Sequence, residues 1–122
     1  MALILEQATE VIIPVGAFVD AVDAVTPETS IALADADQAE LLGPAGAATV
    51  DIKGNTWAAI TGCGGWYHLT LTAANLTECG AYMVVVQDAD VCLAVKTSLF
   101  VIDSSVYDFW TSNKSLQSYL AV

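Results

Sequence analysis

Short β-rich runs separated by turn residues recur about every ten positions, and this spacing constrains the fold more than any other feature. The strongest pair of runs, Ala81 to Gln87 and Val91 to Ile102, flanks the turn Asp88-Ala89-Asp90 and predicts a hairpin. The other runs are Val11 to Phe18, Ser30 to Leu33, Gln38 to Leu42, Ala48 to Ile52, Trp57 to Thr61 and Trp66 to Thr72. Pro14 has no N–H to donate, so its strand belongs at a sheet edge or a bulge. The pattern predicts an all-β fold, an immunoglobulin-like or jelly-roll-type β-sandwich of about seven or eight short strands.

The length of 122 residues matches one domain, and the pattern changes after Asp103. Residues 1–103 are predicted to form the sandwich, and residues 104–122 a short helix or tail. The segment Ser105-Val106-Tyr107-Asp108 has the S-x-x-D form of a helix start. Leu116, Tyr119 and Leu120 have the i, i+3, i+4 spacing of a helix face. The tail is therefore expected to dock on its own domain or on a neighbouring subunit.

The composition indicates a surface that other protein covers in part. Hydrophobic residues make up 56% of the chain and charged residues only 14%, well below the roughly 25% of an average soluble domain. Monomers rarely leave large apolar patches in water. Fourteen acidic residues face three lysines, which gives a net charge of -11. This balance repels phosphate groups, so nucleic acid and anionic membranes are excluded as partners.

The first residues carry no recognisable export signal. Met-Ala-Leu-Ile-Leu-Glu lacks a basic start, and its apolar run is too short for a signal peptide. No run of the sequence approaches the roughly 18 apolar residues of a membrane span. We therefore expect synthesis in a cytoplasm without a signal peptide.

The predicted hairpin is apolar on both faces. If its turn centres on Ala89, one face carries Met83, Val85, Val91, Leu93, Val95, Leu99 and Val101. The opposite face, predicted to point outward, carries Tyr82, Val84, Val86, Cys92, Ala94, Lys96, Ser98 and Phe100. Sandwich strands normally alternate apolar-in with polar-out, so loops, the C-terminal tail or a neighbouring subunit should cover this outer face. The predicted interaction residues are Tyr82, Val84, Val86, Cys92, Phe100, Phe109, Trp110, Leu116, Tyr119 and Leu120.

The groups that catalysis or metal binding require are sparse. His68 is the single histidine, and Cys63 lies near it in a glycine-rich turn, but the sequence supplies no third group to orient them. Carboxylates are paired at Asp20 and Asp23, at Asp35 and Asp37, and at Asp88 and Asp90. These pairs lack the spacing of a calcium loop and are typical of turns. We predict no catalytic residue, no metal and no cofactor.

Three cysteines, Cys63, Cys79 and Cys92, form no C-x-x-C pair and cannot all pair within one chain. One interpretation is reduced, partly buried thiols. The other is one bridge with a leftover thiol, or bridges between subunits.

An alternative function rests on the aromatic residues Trp57, Trp66 and Tyr67. Flat aromatic faces suit pyranose rings, so a carbohydrate-binding or adhesin-like module would expose these three side chains together on one face. The other interpretation is that they are aromatic residues of the sandwich core.

Four segments resemble, in the same order, a family of small β-sandwich virion proteins of tailed bacteriophages. They are Gly16 to Asp20, Val25 to Thr29, Gly65 to Tyr67, and Phe100 to Asp108, which together span about residues 10 to 110. The resemblance implies an immunoglobulin-like sandwich and a non-enzymatic structural role, as a capsid decoration or cement protein or a neck or tail accessory. It implies copies of the chain and other capsid or tail proteins as partners. The absence of arginine and the three cysteines depart from the family pattern.

Overall fold

Two β-sheets make up the fold in a computed structural model that describes residues 2–44, 46 and 49–111. The strands are β1 (Leu3–Glu6), β2 (Val11–Val15), β3 (Ala39–Leu42), β4 (Val50–Asp51), β5 (Trp57–Ala59), β6 (Tyr67–Leu71), β7 (Gly80–Asp88) and β8 (Cys92–Ile102). A 3-10 helix spans Ala73–Leu76, and helix α1 spans Ser104–Thr111. None of the helices in the described ranges is long and apolar enough to cross a membrane.

The order of the strands defines the topology. The larger sheet has five strands in the order β1-β8-β7-β3-β4, and the smaller has three in the order β2-β6-β5. In an immunoglobulin domain, strands B, E and D share one sheet and strands C, F and G share the other. Here β2, β6 and β5 take the places of B, E and D, and β3, β7 and β8 those of C, F and G. The fold is an immunoglobulin-like β-sandwich, as predicted.

The core lies between the two sheets, because alternate residues of each strand point inward. Residues of the smaller sheet that are buried include Ile13, Val15, Leu69 and Leu71. They face a buried set from the larger sheet: Leu41, Tyr82, Val84, Val86, Leu99 and Val101. Burying each large apolar side chain stabilises the fold by roughly 1.5–3 kcal/mol. β2 is an edge strand, which confirms the position inferred from Pro14.

The predicted strand from Ser30 to Leu33 does not form. Side chains, and not a neighbouring strand, satisfy the backbone there. The N–H of Ile31 donates to the Tyr67 hydroxyl at 3.2 Å, and its C=O accepts from the Trp57 indole N–H at 3.1 Å. Conversely, β1 was not predicted. It is only four residues long and pairs parallel with β8 at the sheet edge. Because it is not joined to β8 by a hairpin turn, no local turn signal predicts it.

The pairing of β7 with β8 differs from the predicted hairpin. Tyr82 pairs with Leu99 and Val86 with Val95, whereas Asp88 pairs with Cys92. Two residue steps on β7, from Val86 to Asp88, therefore face three steps on β8, from Val95 to Cys92. This β-bulge adds one residue to β8 and shifts its alternation by one position. The predicted hairpin has a turn centred on Ala89 and no bulge. Its inner and outer faces are therefore assigned incorrectly.

Because of this shift, four predicted outer residues point into the core. Tyr82 is 6% exposed, Val84 and Val86 are 0% exposed, and Cys92 is 2% exposed. Their predicted outward placement is wrong. Phe100 is the hairpin residue of the predicted set that does lie on the outer face, with 46% of its surface exposed.

Helix α1 begins at Ser104, one residue before the predicted start. The Asp103 carboxylate accepts a hydrogen bond from the Ser105 N–H at 2.8 Å, as an N-cap residue does. Hydrogen bonds from the Ser105 hydroxyl and N–H lower the pKa of Asp103. The helix packs beside β1 with Phe109 half-buried and Trp110 58% exposed. Leu116, Tyr119 and Leu120 lie outside the described residues.

Candidate interaction surface

The outward side of the larger sheet carries a group of apolar side chains that we call the apolar outer face: Ile4, Leu42, Met83, Val85 and Phe100. Phe100 lies between Ile4 of β1 and Ala81 of β7, and Met83 lies between Ser98 of β8 and Leu42 of β3. Ile4 is 47% exposed, Leu42 39% and Phe100 46%, whereas Met83 and Val85 are half-buried. These neighbours in the register form a continuous surface across four strands.

Charged residues lie at both ends of this face. At one end Glu6 points outward beside Ile102. At the other end Val85 lies between Lys96 and Glu40, and Glu40 faces Asp51 on β4. Lys53 lies 4.0 Å from the Asp51 carboxylate, so this second end carries two lysines and two carboxylates. The face is therefore apolar in its middle rows and charged at its ends.

Glu40 is the most constrained of these carboxylates. Burial is the main cause that raises its pKa, and the nearby carboxylates of Asp37 and Asp51 raise it further, against a hydrogen bond from Thr49. Its Oε2 atom is buried and has no hydrogen-bond partner within the described ranges. Like charges directly opposite each other in a sheet are unfavourable. Lys53, 4.0 Å from the Asp51 carboxylate, offsets part of this repulsion.

Tyr82 has a structural role that explains its burial. Its hydroxyl donates to the C=O of Glu78 at 2.9 Å and accepts from the N–H of Glu78 at 3.1 Å. A tyrosine near the start of strand F that bonds backbone a few residues upstream is the tyrosine corner of immunoglobulin-like sandwiches. Two residues later, Val84 occupies the place that a disulfide cysteine takes in antibody domains. In the sequence, the signal for this corner is Tyr82 followed two residues later by the apolar Val84.

The aromatic residues of the carbohydrate alternative do not share an exposed face. The Trp57 and Tyr67 rings stack on each other with centroids 4.6 Å apart, and Phe18 packs edge-on against both. Tyr67 is buried, burial raises its pKa, and its hydroxyl donates to the C=O of Glu28 at 2.7 Å. Trp66 packs over Gly16, where an added Cβ would lie 2.5 Å from the Trp66 ring. Phe18 and Tyr67 belong to the buried core and Trp57 packs against it, whereas Trp66 is half-buried.

His68 and Cys63 lie in different settings. His68 is exposed on the outward side of the smaller sheet, opposite Pro14 and Ala58. Cys63 is exposed in the turn that precedes β6. Within the described part of the chain, no hydrogen bond joins the two side chains.

The three cysteines differ in accessibility. All three are free thiols; Cys63 and Cys79 are exposed, and Cys92 is buried. Burial raises the pKa of Cys92, which lowers its reactivity further because the thiolate is the reactive form. The burial removes Cys92 from the predicted bridges between subunits. Bridges through Cys63 and Cys79 stay a prediction.

An open groove of about 630 Å³ lies where the β7–β8 turn meets the segment before β3, and four carboxylates line it: Asp35, Asp37, Asp88 and Asp90. The Gln38 side-chain amide donates to the Asp88 carboxylate at 3.2 Å. The Asp88 carboxylate also accepts from the N–H of Asp90, as aspartates in turns do. Among residues 2–44, 46 and 49–111, no group of three or more His, Cys, Asp or Glu side chains is placed to hold a metal ion.

Comparison with known proteins does not extend what the strand topology shows. No protein-family model matches the chain, and no curated protein matches it. A solved structure, the crystal structure of the titin M10–obscurin-like 1 Ig complex, contains a chain with 15% identity and a TM-score of 0.36; the match covers 84% of this chain and 86% of that one. The strand topology confirms the immunoglobulin-like fold that the phage resemblance implied, and the virion role stays a prediction.

Proposed function

We propose that this chain is a non-enzymatic structural component of a tailed-phage particle, either a capsid decoration protein or a neck or tail accessory. It is made in the host cytoplasm and is held on other particle proteins through the apolar outer face. The observation that carries the proposal is the exposure of Ile4, Leu42 and Phe100 on one continuous sheet surface. Surfaces of this kind mark sites of protein contact.

Helix α1 extends the apolar surface that a partner could cover. It packs beside β1, next to the edge of the apolar outer face, and it exposes 41% of Val106 and 58% of Trp110. Aromatic residues are enriched among the residues that contribute most to protein interfaces. The order of the phage-like segments along the chain supports a virion setting for this contact.

The experiment is rebinding of the purified chain to particles from which it has been removed. Phe100→Ser should abolish most of the binding, because a central aromatic contact is lost. Ile12→Ser is the matched control: Ile12 is 62% exposed on the outward side of the smaller sheet, and its loss should leave binding unchanged. Equal unfolding midpoints of the two variants would exclude a difference in folding. If Ile12→Ser rather than Phe100→Ser prevents rebinding, or if the unaltered chain does not rebind, the proposal is wrong.

A further inference from the structure

The four edges of the two sheets differ in how they are protected from pairing with another strand. A further chain can add to an unpaired edge strand, and proline, charge or a covering element normally prevents this. Helix α1 packs beside β1, the two-residue strand β4 carries Asp51 paired with Lys53, and Pro14 lies in β2. The remaining edge strand, β5, has no proline, no charged residue and no helix packed beside it.

The hydrogen bonds of β5 show which of its backbone groups face the open edge. The C=O of Thr56 accepts a hydrogen bond from β6 at 3.0 Å, and the N–H of Ile60 donates to the residue before β6 at 2.9 Å. These two bonds extend the ladder by one residue at each end of β5. Alternate residues of an antiparallel ladder bond to the same neighbour, so the N–H and C=O of Trp57 and Ala59 point away from β6.

These four backbone groups are available to another chain. No hydrogen bond within the described ranges uses them outside the β5–β6 ladder. Ala58 and Ala59 are exposed, so solvent reaches the edge. Donors and acceptors that alternate along an open edge in this way bind an extended strand.

The distribution of charge makes this edge a place where two copies of the chain can meet. Chains that each carry a net charge of -11 repel each other, so close contact is favoured where neither copy presents a charge. The sequence from Gly54 to Thr77 contains no Asp, Glu, Lys or Arg, and β2 contains none either. All three strands of the smaller sheet are therefore uncharged.

The residues of β5 are also complementary in size to themselves. Antiparallel pairing about a two-fold axis at Ala58 places Trp57 of each copy opposite Ala59 of the other, so a large side chain meets a small one. The free backbone groups of these two pairs face each other and form four main-chain hydrogen bonds. On the outward side Ala58 meets its own copy without crowding, and Thr56 meets Ile60, which are both β-branched.

We propose that two copies of this chain form a symmetric dimer through the open edge of β5, with Trp57 of each copy opposite Ala59 of the other. The two three-stranded sheets then become one continuous six-stranded sheet. Two-fold dimers are the commonest symmetric assemblies of soluble proteins. The apolar outer face lies on the other sheet, so the dimer keeps two such faces free for other contacts.

Sedimentation equilibrium of the purified chain over about 10 μM to 1 mM tests the dimer, since a contact this short gives a dissociation constant in that range. Ala59→Pro should raise the dissociation constant about tenfold or more, because each copy loses a donor to the other. The Ala59 N–H takes no part in the β5–β6 ladder, so the domain keeps its own hydrogen bonds.

Ile12→Pro is the matched control at the other edge of the same sheet. Ile12 pairs with Thr70, whose N–H bonds to β5 instead, so the Ile12 N–H faces the open edge of β2. This substitution should leave the dissociation constant unchanged. Unfolding midpoints of both proline variants show whether each one folds.

Cysteine cross-linking tests the register without proline, and it decides the matter if Ala59→Pro fails to fold. In a chain with Cys63→Ser and Cys79→Ser, Ala58→Cys should give a disulfide-linked dimer under mild oxidation. Residues opposite each other in a pair without hydrogen bonds have Cα atoms about 4.5 Å apart, which a disulfide can span. Ala59→Cys should cross-link at least about tenfold more slowly, because it lies opposite Trp57 and not opposite itself.

Three results would overturn the inference. The chain could stay monomeric up to about 1 mM. It could form dimers that Ile12→Pro or Phe100→Ser dissociates and Ala59→Pro does not, which would place the contact on another surface. Ala59→Cys could cross-link as fast as Ala58→Cys, which would exclude the pairing described. Particle rebinding is decided separately by Phe100→Ser, so a failure of the dimer is distinct from a failure of the proposed function.

Discussion

The two faces of the β7–β8 hairpin are nearly equal in hydrophobicity but differ in what surrounds them. On β7, Val84 and Val86 are fully buried, while Met83 and Val85 next to them are half-buried on the outward side. The inner face meets the smaller sheet and contributes to stability. Among the described residues, no second sheet covers the outer face, and Phe100 keeps 46% of its surface exposed. A strand that is apolar on both sides can therefore be covered twice. One side packs within the domain, and we propose that a partner covers the other.

The cysteines give the largest contrast between inside and outside. Cys63 and Cys79 should react with a maleimide in the native protein, whereas Cys92 should react only when the core opens. With an unfolding free energy of at least about 5 kcal/mol, protection of Cys92 should exceed a thousandfold. Mass spectrometry of the labelled chain, with and without denaturant, measures this difference. Rapid native labelling of Cys92 would contradict its inward placement.

Truncation of neighbouring valines should separate the two faces next. Val84→Ala should lower the free energy of unfolding by about 2–3 kcal/mol, because it leaves a cavity between the sheets. Val85→Ala should cost less than about 1 kcal/mol, since its site is partly solvated. Urea unfolding of the two variants gives both values. If Val85→Ala lowers the free energy of unfolding more than Val84→Ala does, then Val84 points outward and the inward placement is wrong.

The tyrosine corner should have an intermediate effect. Tyr82→Phe removes a hydroxyl that both donates to and accepts from the Glu78 backbone, and it should cost about 1–2 kcal/mol. Tyr107→Phe is the control, because the Tyr107 hydroxyl makes no hydrogen bond within the described residues; its cost should stay below about 0.5 kcal/mol. Thermal unfolding of both variants is the measurement, and equal midpoints would argue against the corner.

Glu40 should give the smallest effect and a defined pH dependence. Its pKa is raised in the folded chain above the ordinary value of 4.5, so folding favours the protonated form. This favourable contribution is present in acid and is lost as the pH rises through the folded pKa. Glu40→Gln should therefore be more stable than the unaltered chain at pH 7, by less than about 1 kcal/mol, and the gain should shrink below pH 4.5. A gain that grows in acid would contradict the environment described for Glu40.

The sequence predicted the positions of the strands better than it predicted which of their side chains point into the core. Turn residues and apolar runs are local signals, so seven of the eight strands and the edge position of Pro14 followed from them. The bulge between Val95 and Cys92 has no such signal, because Leu93 and Ala94 fit either face of the strand. One inserted residue inverted the inner and outer assignment and moved Tyr82 from the surface to the core.

The sequence predicted an exposed apolar sheet face as the candidate site, but it did not predict most of the residues that form this face. Phe100 and Trp110 are exposed as expected. Ile4 and Leu42 join the surface only because β1 pairs with β8 and β3 pairs with β7. Pairing between strands that are distant in sequence cannot be predicted from residue spacing. The raised pKa of Glu40 likewise depends on its burial in the folded sheet, with smaller contributions from Asp37 and Asp51, and sequence spacing does not show either cause.

The central claim is that the inner face of β7 folds the domain and the outer face binds. Valine-methyl NMR with a soluble paramagnetic agent tests both parts in one measurement, on the free chain and on the particle-bound chain. The account predicts that the Val84 and Val86 methyls are protected in both states, and that the Val85 methyls are broadened when free and protected when bound. Greater broadening of Val84 than of Val85, or unchanged broadening of Val85 on particles, would contradict it.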